Sequence, residues 1–201
     1  MQNRMIAVIR RMRHDMAVPE LSQHPLDDAG HVDTGIGARA VLTPIGLDDW
    51  SDLRNLHAVS FERLIAGHLD EGELEAFKAL VASFEYSDDL RQDALIVARI
   101  DGYLTGSCAW RPSDDAGLSA RVTAIFVYPM FTRFGIGRRL LLETEAHALS
   151  AGFQICTARA PLNAAGFFER LGYATASFGS HMIDGGKGVP VAFMRKSLVA
   201  K

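Results

Sequence analysis

The sequence holds only two cysteines in 201 residues, Cys108 and Cys156. Two isolated thiols supply neither a disulfide framework nor the paired spacing of a zinc site, so the chain points to a reducing, cytoplasmic compartment with both thiols buried as small apolar groups. Positive charge is not in excess either: 21 Lys and Arg against 24 Asp and Glu leave a net charge of -3. No chain-wide basic field exists to hold a phosphate backbone, and nucleic acid is not an expected partner. Long hydrophobic runs are also missing, because polar side chains interrupt even residues 120–130, which fall short of the ~20 residues needed to span a bilayer. No membrane crossing is expected. What is present, 48% hydrophobic and 22% charged residues, suits one packed domain with additional segments.

The first residues set Arg4, Arg10, Arg11 and Arg13 against Asp15 and intersperse Met1, Met5, Ile6, Met12 and Met16. Arginines break the apolar run that a secretory signal requires, and the serine enrichment of a transit peptide is absent. Residues 19–37 pass through Pro, Asp, His and Gly without sustained periodicity. Residues 1–37 therefore read as a non-catalytic N-terminal extension and residues 38–201 as the folded domain. The Met/Ile spacing gives the extension a face for packing on the domain or on a second subunit of a homodimer.

Residues 40–44 form a short apolar run stopped by Pro44, and Leu47-Asp48-Asp49-Trp50 opens a helix with acids in its first turn. Trp50, Leu53, Leu56 and Phe61 recur near helical spacing, while Leu74, Phe77, Leu80, Val81 and Phe84 make the apolar face of a second helix. Residues 95–100 and 103–110 flank Asp101-Gly102, a dipeptide suited to the positive dihedrals of a tight hairpin. Residues 122–128 read as a strand apolar on both faces, hence buried on both sides, and stopped by Pro129. There follow a helix over 138–149 ended by Gly152, a strand over 154–158, and a helix over 163–171 capped by Asn163 and ended by Gly172. Two last strands cover 173–183 and 189–198. The strand, helix, strand, helix run implies a right-handed parallel crossover, with any ligand beyond the carboxyl ends of the strands.

The chemistry concentrates in Val127-Tyr128-Pro129-Met130-Phe131-Thr132-Arg133-Phe134-Gly135-Ile136-Gly137-Arg138-Arg139-Leu140. A strand ends, glycines let the backbone turn tightly, and a helix begins with exposed N–H groups at the positive end of its dipole. Such a turn binds an anion, most naturally a phosphate. No Gly-Lys-Ser/Thr ending is present, and Leu140 occupies the third glycine position of a dinucleotide fingerprint, so ATP and NAD are both disfavoured.

Here the sequence resembles the GCN5-related N-acetyltransferase (GNAT) superfamily, whose acetyl-CoA motif runs Val-x-Pro, then Gln/Arg-x-x-Gly-x-Gly/Ala; Val127, Pro129, Gly135 and Gly137 match. Residues 162–173, Leu-Asn-Ala-Ala-Gly-Phe-Phe-Glu-Arg-Leu-Gly-Tyr, are similar to the family's Asn-containing helix, and Met194-Arg195-Lys196-Ser197-Leu198 is similar to its last strand. The resemblance spans residues 39–198. It implies an α/β (α+β) fold: a mixed, twisted sheet of six or seven strands, splayed between the strands holding Val127 and Ile155, with about four helices and acetyl-CoA in the gap.

By the same resemblance, backbone groups of Phe126 and Val127 hold the pantetheine arm and thioester, the turn formed by Arg133, Phe134, Gly135, Ile136, Gly137 and Arg138 holds the pyrophosphate, and Asn163 contacts the pantetheine region. No metal is required, and a neutral amine attacks the thioester directly while backbone N–H groups polarise the oxyanion. Thr132 stands where the family has Gln or Arg, with Arg133, Arg138 and Arg139 supplying positive charge. Phe168 is expected to face the gap where the family commonly has a tyrosine that protonates the leaving thiolate, and phenylalanine cannot donate a proton.

Among the histidines, His147 reads as a surface residue, His57 and His68 as structural residues of the two-helix region, and His181 as the candidate base, acting directly or through water. Residues 48–93 carry twelve acids against four bases. In the family this region borders the acceptor cleft, so a cationic amine, on a small molecule or a protein, is the expected acceptor. The expected activity is acetyl-CoA-dependent N-acetyl transfer. Phe168, and a strand that offers Arg121 and Thr123 rather than a carboxylate before Val127, support a second reading: a non-catalytic acyl-CoA-binding sensor or regulatory module.

Overall fold

Asp101 and Gly102 both take left-handed dihedrals, with φ of 51° and 82°. They join β2 (Ala94–Ile100) to β3 (Tyr103–Pro112), as a two-residue hairpin loop requires. The computed structural model describes residues 35–65, 71–114, 117–183 and 187–199. Before the hairpin come α1 (Ile36–Arg39), β1 (Val41–Pro44), a 3-10 turn (Leu47–Asp49), α2 (Trp50–Ile65), α3 (Glu71–Ala82) and α4 (Phe84–Leu90). After it come β4 (Ser119–Val127), a 3-10 turn (Pro129–Phe131), α5 (Ile136–Ser150), β5 (Ile155–Pro161), α6 (Leu162–Arg170), β6 (Ala174–Ile183) and β7 (Lys187–Ser197). The seven strands form one sheet in the order β1-β2-β3-β4-β5-β7-β6. Among the described residues only the β4–β5 pair is parallel.

Central strands are apolar on both faces because both faces are covered. Ile96, Ala98 and Ile100 of β2 join Leu140 and Leu141 of α5 and Phe168 of α6 in one core. Leu95 and Val97, the alternate residues, join Leu53 and Leu56 of α2 and Leu90 of α4 in the other. Phe61, Phe77 and Val81 extend that second layer over Val189 of β7. Cys108 and Cys156 are both fully buried and free.

Several expectations are corrected. Six α-helices stand among the described residues where about four are expected: the short α1 forms ahead of β1, and Ser83 interrupts the second helical pattern, its side chain accepting from the Tyr86 N–H to start α4. Phe84 thereby leaves the apolar face and is 72% exposed. Pro161, not Asn163, occupies the N-cap of α6, because β5 continues its pairing with β7 as far as Pro161 and Val191. The end of β4 is half-buried rather than covered on both sides, because its pairing with β5 stops at Val122. Ile36 and Gly37, on the extension side of the expected boundary, are buried in the packed structure.

Candidate active site

The parallel pairing of β4 with β5 runs only from Ser119 and Ile155 to Val122 and Ala158. Beyond it the strands part, leaving residues 123–127 on one side and 159–161 on the other, and this lost partner is why the last five residues of β4 are only half-buried. A β-bulge starts the departure. Ser107 and Ala109 of β3 face Phe126 and Thr123, so β4 carries one extra residue there, and Ala124 takes a φ of 48°. Since the Tyr128 N–H donates across to the Thr105 carbonyl, strand alternation turns the Val127 N–H the other way, toward the gap.

A buried relay fixes this bulge. Ser107 Oγ donates to the Ala124 carbonyl at 2.8 Å and therefore accepts from His57 Nε2–H, also at 2.8 Å. His57 Nδ1 then accepts the Tyr86 hydroxyl at 2.7 Å. His57 is fully buried, its ring lies 4.3 Å from that of Phe126, and burial pushes its pKa from 6.5 down to about 3. The imidazole is neutral with both nitrogens engaged, so it positions the backbone of β4 and cannot serve as a free base.

After β4 the chain makes the turn read as an anion site. Thr132 Oγ1 closes it on the Pro129 carbonyl at 2.8 Å, Arg133 takes a φ of 69°, and Gly135, with a φ of 77°, is the N-cap of α5. The first helical bond runs from the Arg139 N–H to the Gly135 carbonyl. The N–H groups of residues 135–138 consequently have no hydrogen-bond partner among the described residues, and they converge where the helix dipole is positive. Arg133 and Arg138 stand exposed on either side. Ile136 is 1% exposed, so it offers the turn only its backbone. Arg139 does not add to the phosphate charge as expected: its guanidinium donates to the carbonyls of Gly37 and Ala40 and ties α1 to α5. Gly37 in turn lies against the Phe134 carbonyl so closely that a Cβ could not be accommodated.

The structure thus gathers Phe126, Val127, Arg133, Phe134, Gly135, Ile136, Gly137 and Arg138 around one split strand pair and its turn. Phe168 is not on the gap wall. It is 3% exposed, packed edge-on against Tyr173 in the core, and its neighbour Phe167 is the residue that lies beside Gly137. Rotation by ~100° per residue explains the exchange: the side turned from Phe167 toward the core belongs to Phe168. Asn163 is exposed in the first turn of α6. His147 is exposed beside Glu143, and His68 lies outside the described residues. His181, exposed on β6, accepts from Arg159 Nη1 at 3.4 Å; burial first, then the charges of Arg159 and Arg121, hold its pKa below the usual histidine value.

The acidic excess of residues 48–93 is partly neutralised within the fold. Asp49 pairs with Arg99, Glu62 and Glu75 with Lys78, and Asp89 and Asp93 with Arg111. Among the described residues no group of three or more His, Cys, Asp or Glu is placed to hold a metal ion, and no helix is long and apolar enough to cross a membrane.

Residues 50–173, including the bulge, the gap and the turn, match the model of the Acetyltransferase (GNAT) family. The chain belongs to this acetyltransferase family. No curated relative matches the GNAT chain significantly. Its fold is shared by a GCN5-related N-acetyltransferase of Rhodopseudomonas palustris, at 23% identity and a TM-score of 0.69 over 78% of this chain and 94% of that one. It is shared also by the PaiA N-acetyltransferase of Thermoplasma acidophilum in complex with coenzyme A, at 20% identity and a TM-score of 0.62 over 79% of this chain and 98% of that one. The YncA structure of Salmonella typhimurium, with its cofactor acetyl-CoA, aligns at 16% identity and a TM-score of 0.57 over 81% of this chain and 95% of that one.

Proposed function

We propose that this GNAT protein is an acetyl-CoA-dependent N-acetyltransferase that acetylates a primary amine, on a small molecule or a protein, by direct attack. The observation that carries the reading is the split of β4 from β5 beside a turn whose N–H groups at 135–138 have no partner among the described residues. Those donors, with Arg133 and Arg138, suit a pyrophosphate. The parted strand edges suit an extended arm with its own amide groups, and Phe126 and Val127 flank that arm. Acetyl-CoA, when bound, supplies the acetyl group as a thioester. The Val127 N–H, turned to the gap and held there by the bulge and the His57 relay, donates where the carbonyl oxygen gains charge. Partial desolvation and the adjacent arginines lower the pKa of His181 and so favour its neutral form, and it is this imidazole that takes the proton released by the attacking amine, directly or through water. The buried free thiols accord with a reducing, cytoplasmic compartment, and the acceptor enters as a cationic amine that must lose a proton before it attacks.

A second reading, a non-catalytic acyl-CoA sensor, draws on one observation: Phe168, which stands at the sequence position of the family's tyrosine, is apolar and packed in the core, so it offers the gap no proton donor. Calorimetry with acetyl-CoA and CoA, followed by thiol release with a panel of primary amines, separates the two. Binding with turnover of at least one amine supports acetyl transfer, binding without turnover of any amine supports the sensor, and absence of binding overturns both.

A further inference from the structure

On the sheet face covered by α2–α4, basic residues collect at the mouth of the gap. Arg121 of β4 is the register partner of Thr157 of β5, which is the partner of Arg195 of β7, so the three share a face. Arg159, two residues beyond Thr157, returns to that face immediately past the last β4–β5 pair. Its guanidinium lies 6.0 Å from the centre of the Phe193 ring and donates to His181 Nδ1. Arg111, the partner of Arg121 on β3, is neutralised by Asp89 and Asp93. Arg121 has no such relief. It makes no ion pair or hydrogen bond among the described residues, although burial and the charges of Arg159 and Arg111 all oppose its positive charge and only Asp93 and Asp89, already held by Arg111, favour it.

Two guanidinium groups on one face, Arg121 half-buried and Arg159 exposed, neither with a carboxylate partner among the described residues, repel each other and favour an incoming oxyanion. We propose that the acceptor carries, besides its amine, a carboxylate or phosphate-class oxyanion, and that Arg159 and Arg121 bind this group and so set the amine at the gap. The proposal rests on the acetyl-transfer reading above and narrows its acceptor class. It also couples binding to proton transfer, since an oxyanion that draws the Arg159 guanidinium to itself releases the lone pair of His181 Nδ1.

The test has two arms. In the first, the imidazole signals of His181 in the labelled full chain, assigned with a His181→Gln variant, are titrated against pH in chloride alone and with acetate or inorganic phosphate added. The expected result is an upward shift of about half a unit or more with at least one oxyanion, because the bound charge offsets the two arginines. In Arg159→Gln the midpoint rises without any oxyanion and no longer responds to it. In the second arm, matched acceptors are compared with acetyl-CoA: amino acids against their amides, and aminoalkyl phosphonates against aminoalkanes. The wild type should favour the anionic member of a pair by about tenfold or more in kcat/KM, and Arg159→Gln should erase that preference through KM for the acceptor while KM for acetyl-CoA stays unchanged. A His181 midpoint indifferent to both oxyanions overturns the anion site, whatever the transfer activity. A responsive midpoint with equal turnover of both members of each pair overturns its assignment to the acceptor. A responsive midpoint with no amine turned over overturns the acetyl-transfer reading and the acceptor role with it.

Discussion

The buried relay at the bulge makes a quantitative prediction about acid stability. In the folded protein His57 stays neutral down to about pH 3, whereas in the unfolded chain it titrates near 6.5. Below pH 6.5 the unfolded state therefore binds a proton that the native state does not, and stability falls as pH falls through that value, continuing to drop until the folded-state value is reached. Each pH unit inside this window costs about 1.4 kcal/mol, so between pH 7 and pH 5 His57 alone removes about 2 kcal/mol. That is a large share of a total stability on the order of 5 to 15 kcal/mol. Urea unfolding followed by tryptophan fluorescence at pH 7, 6 and 5 measures it. His181, whose value is also lowered, contributes in the same direction, so the comparison needed is with a His57→Gln variant that retains His181. The variant should be less stable at pH 7, because Ser107 and Tyr86 lose a partner, and it should lose about 2 kcal/mol less than the wild type on going to pH 5. Parallel pH profiles for the two proteins would refute the claim that His57 is neutral and locked in place.

Gly37→Ala should drive the Phe134 carbonyl out of position, costing ~1–3 kcal/mol in melting experiments and weakening CoA binding by calorimetry. Gly137→Ala, whose Cβ would sit 3.6 Å from Phe167 and Val127, should fold normally by the same measurement. Gly135→Val, at a left-handed residue whose Cβ would project into open space at the turn, should leave a folded protein that no longer binds CoA. Phe168→Tyr should destabilise by ~1–3 kcal/mol, since it forces an added hydroxyl into the packed core where Phe168 is 3% exposed; turnover should change less than about tenfold. A chain starting at residue 35 should keep its affinity for CoA, whereas one starting at residue 41 should lose much of it, because Arg139 then has neither the Gly37 nor the Ala40 carbonyl to hold.

Local rules reach as far as features in which a few neighbouring residues decide the outcome. The hairpin at Asp101-Gly102, the glycine ends at Gly152 and Gly172, and the strand-to-helix turn at Gly135 each depend on a dihedral that few residues tolerate, so the amino acids themselves determined them. The sheet and its parallel crossover followed from the order of those elements, and the acetyl-CoA motif pointed to the gap. Tertiary structure alone decided the rest, because each remaining feature joins residues far apart in the chain. His57 reaches Ala124 through Ser107, and Arg139 reaches Gly37 and Ala40. A histidine or arginine codon carries no sign of which distant carbonyl it will serve. Whether Phe167 or Phe168 lines the gap depends on the rotation of α6 against the sheet, which Tyr173 and the core settle by packing. The basic face is intermediate. Alternation along residues 156–160 places Thr157 and Arg159 opposite Cys156, Ala158 and Ala160, so their shared side was legible, but their meeting with Arg121 and His181 arises only when three separate strands are brought into register.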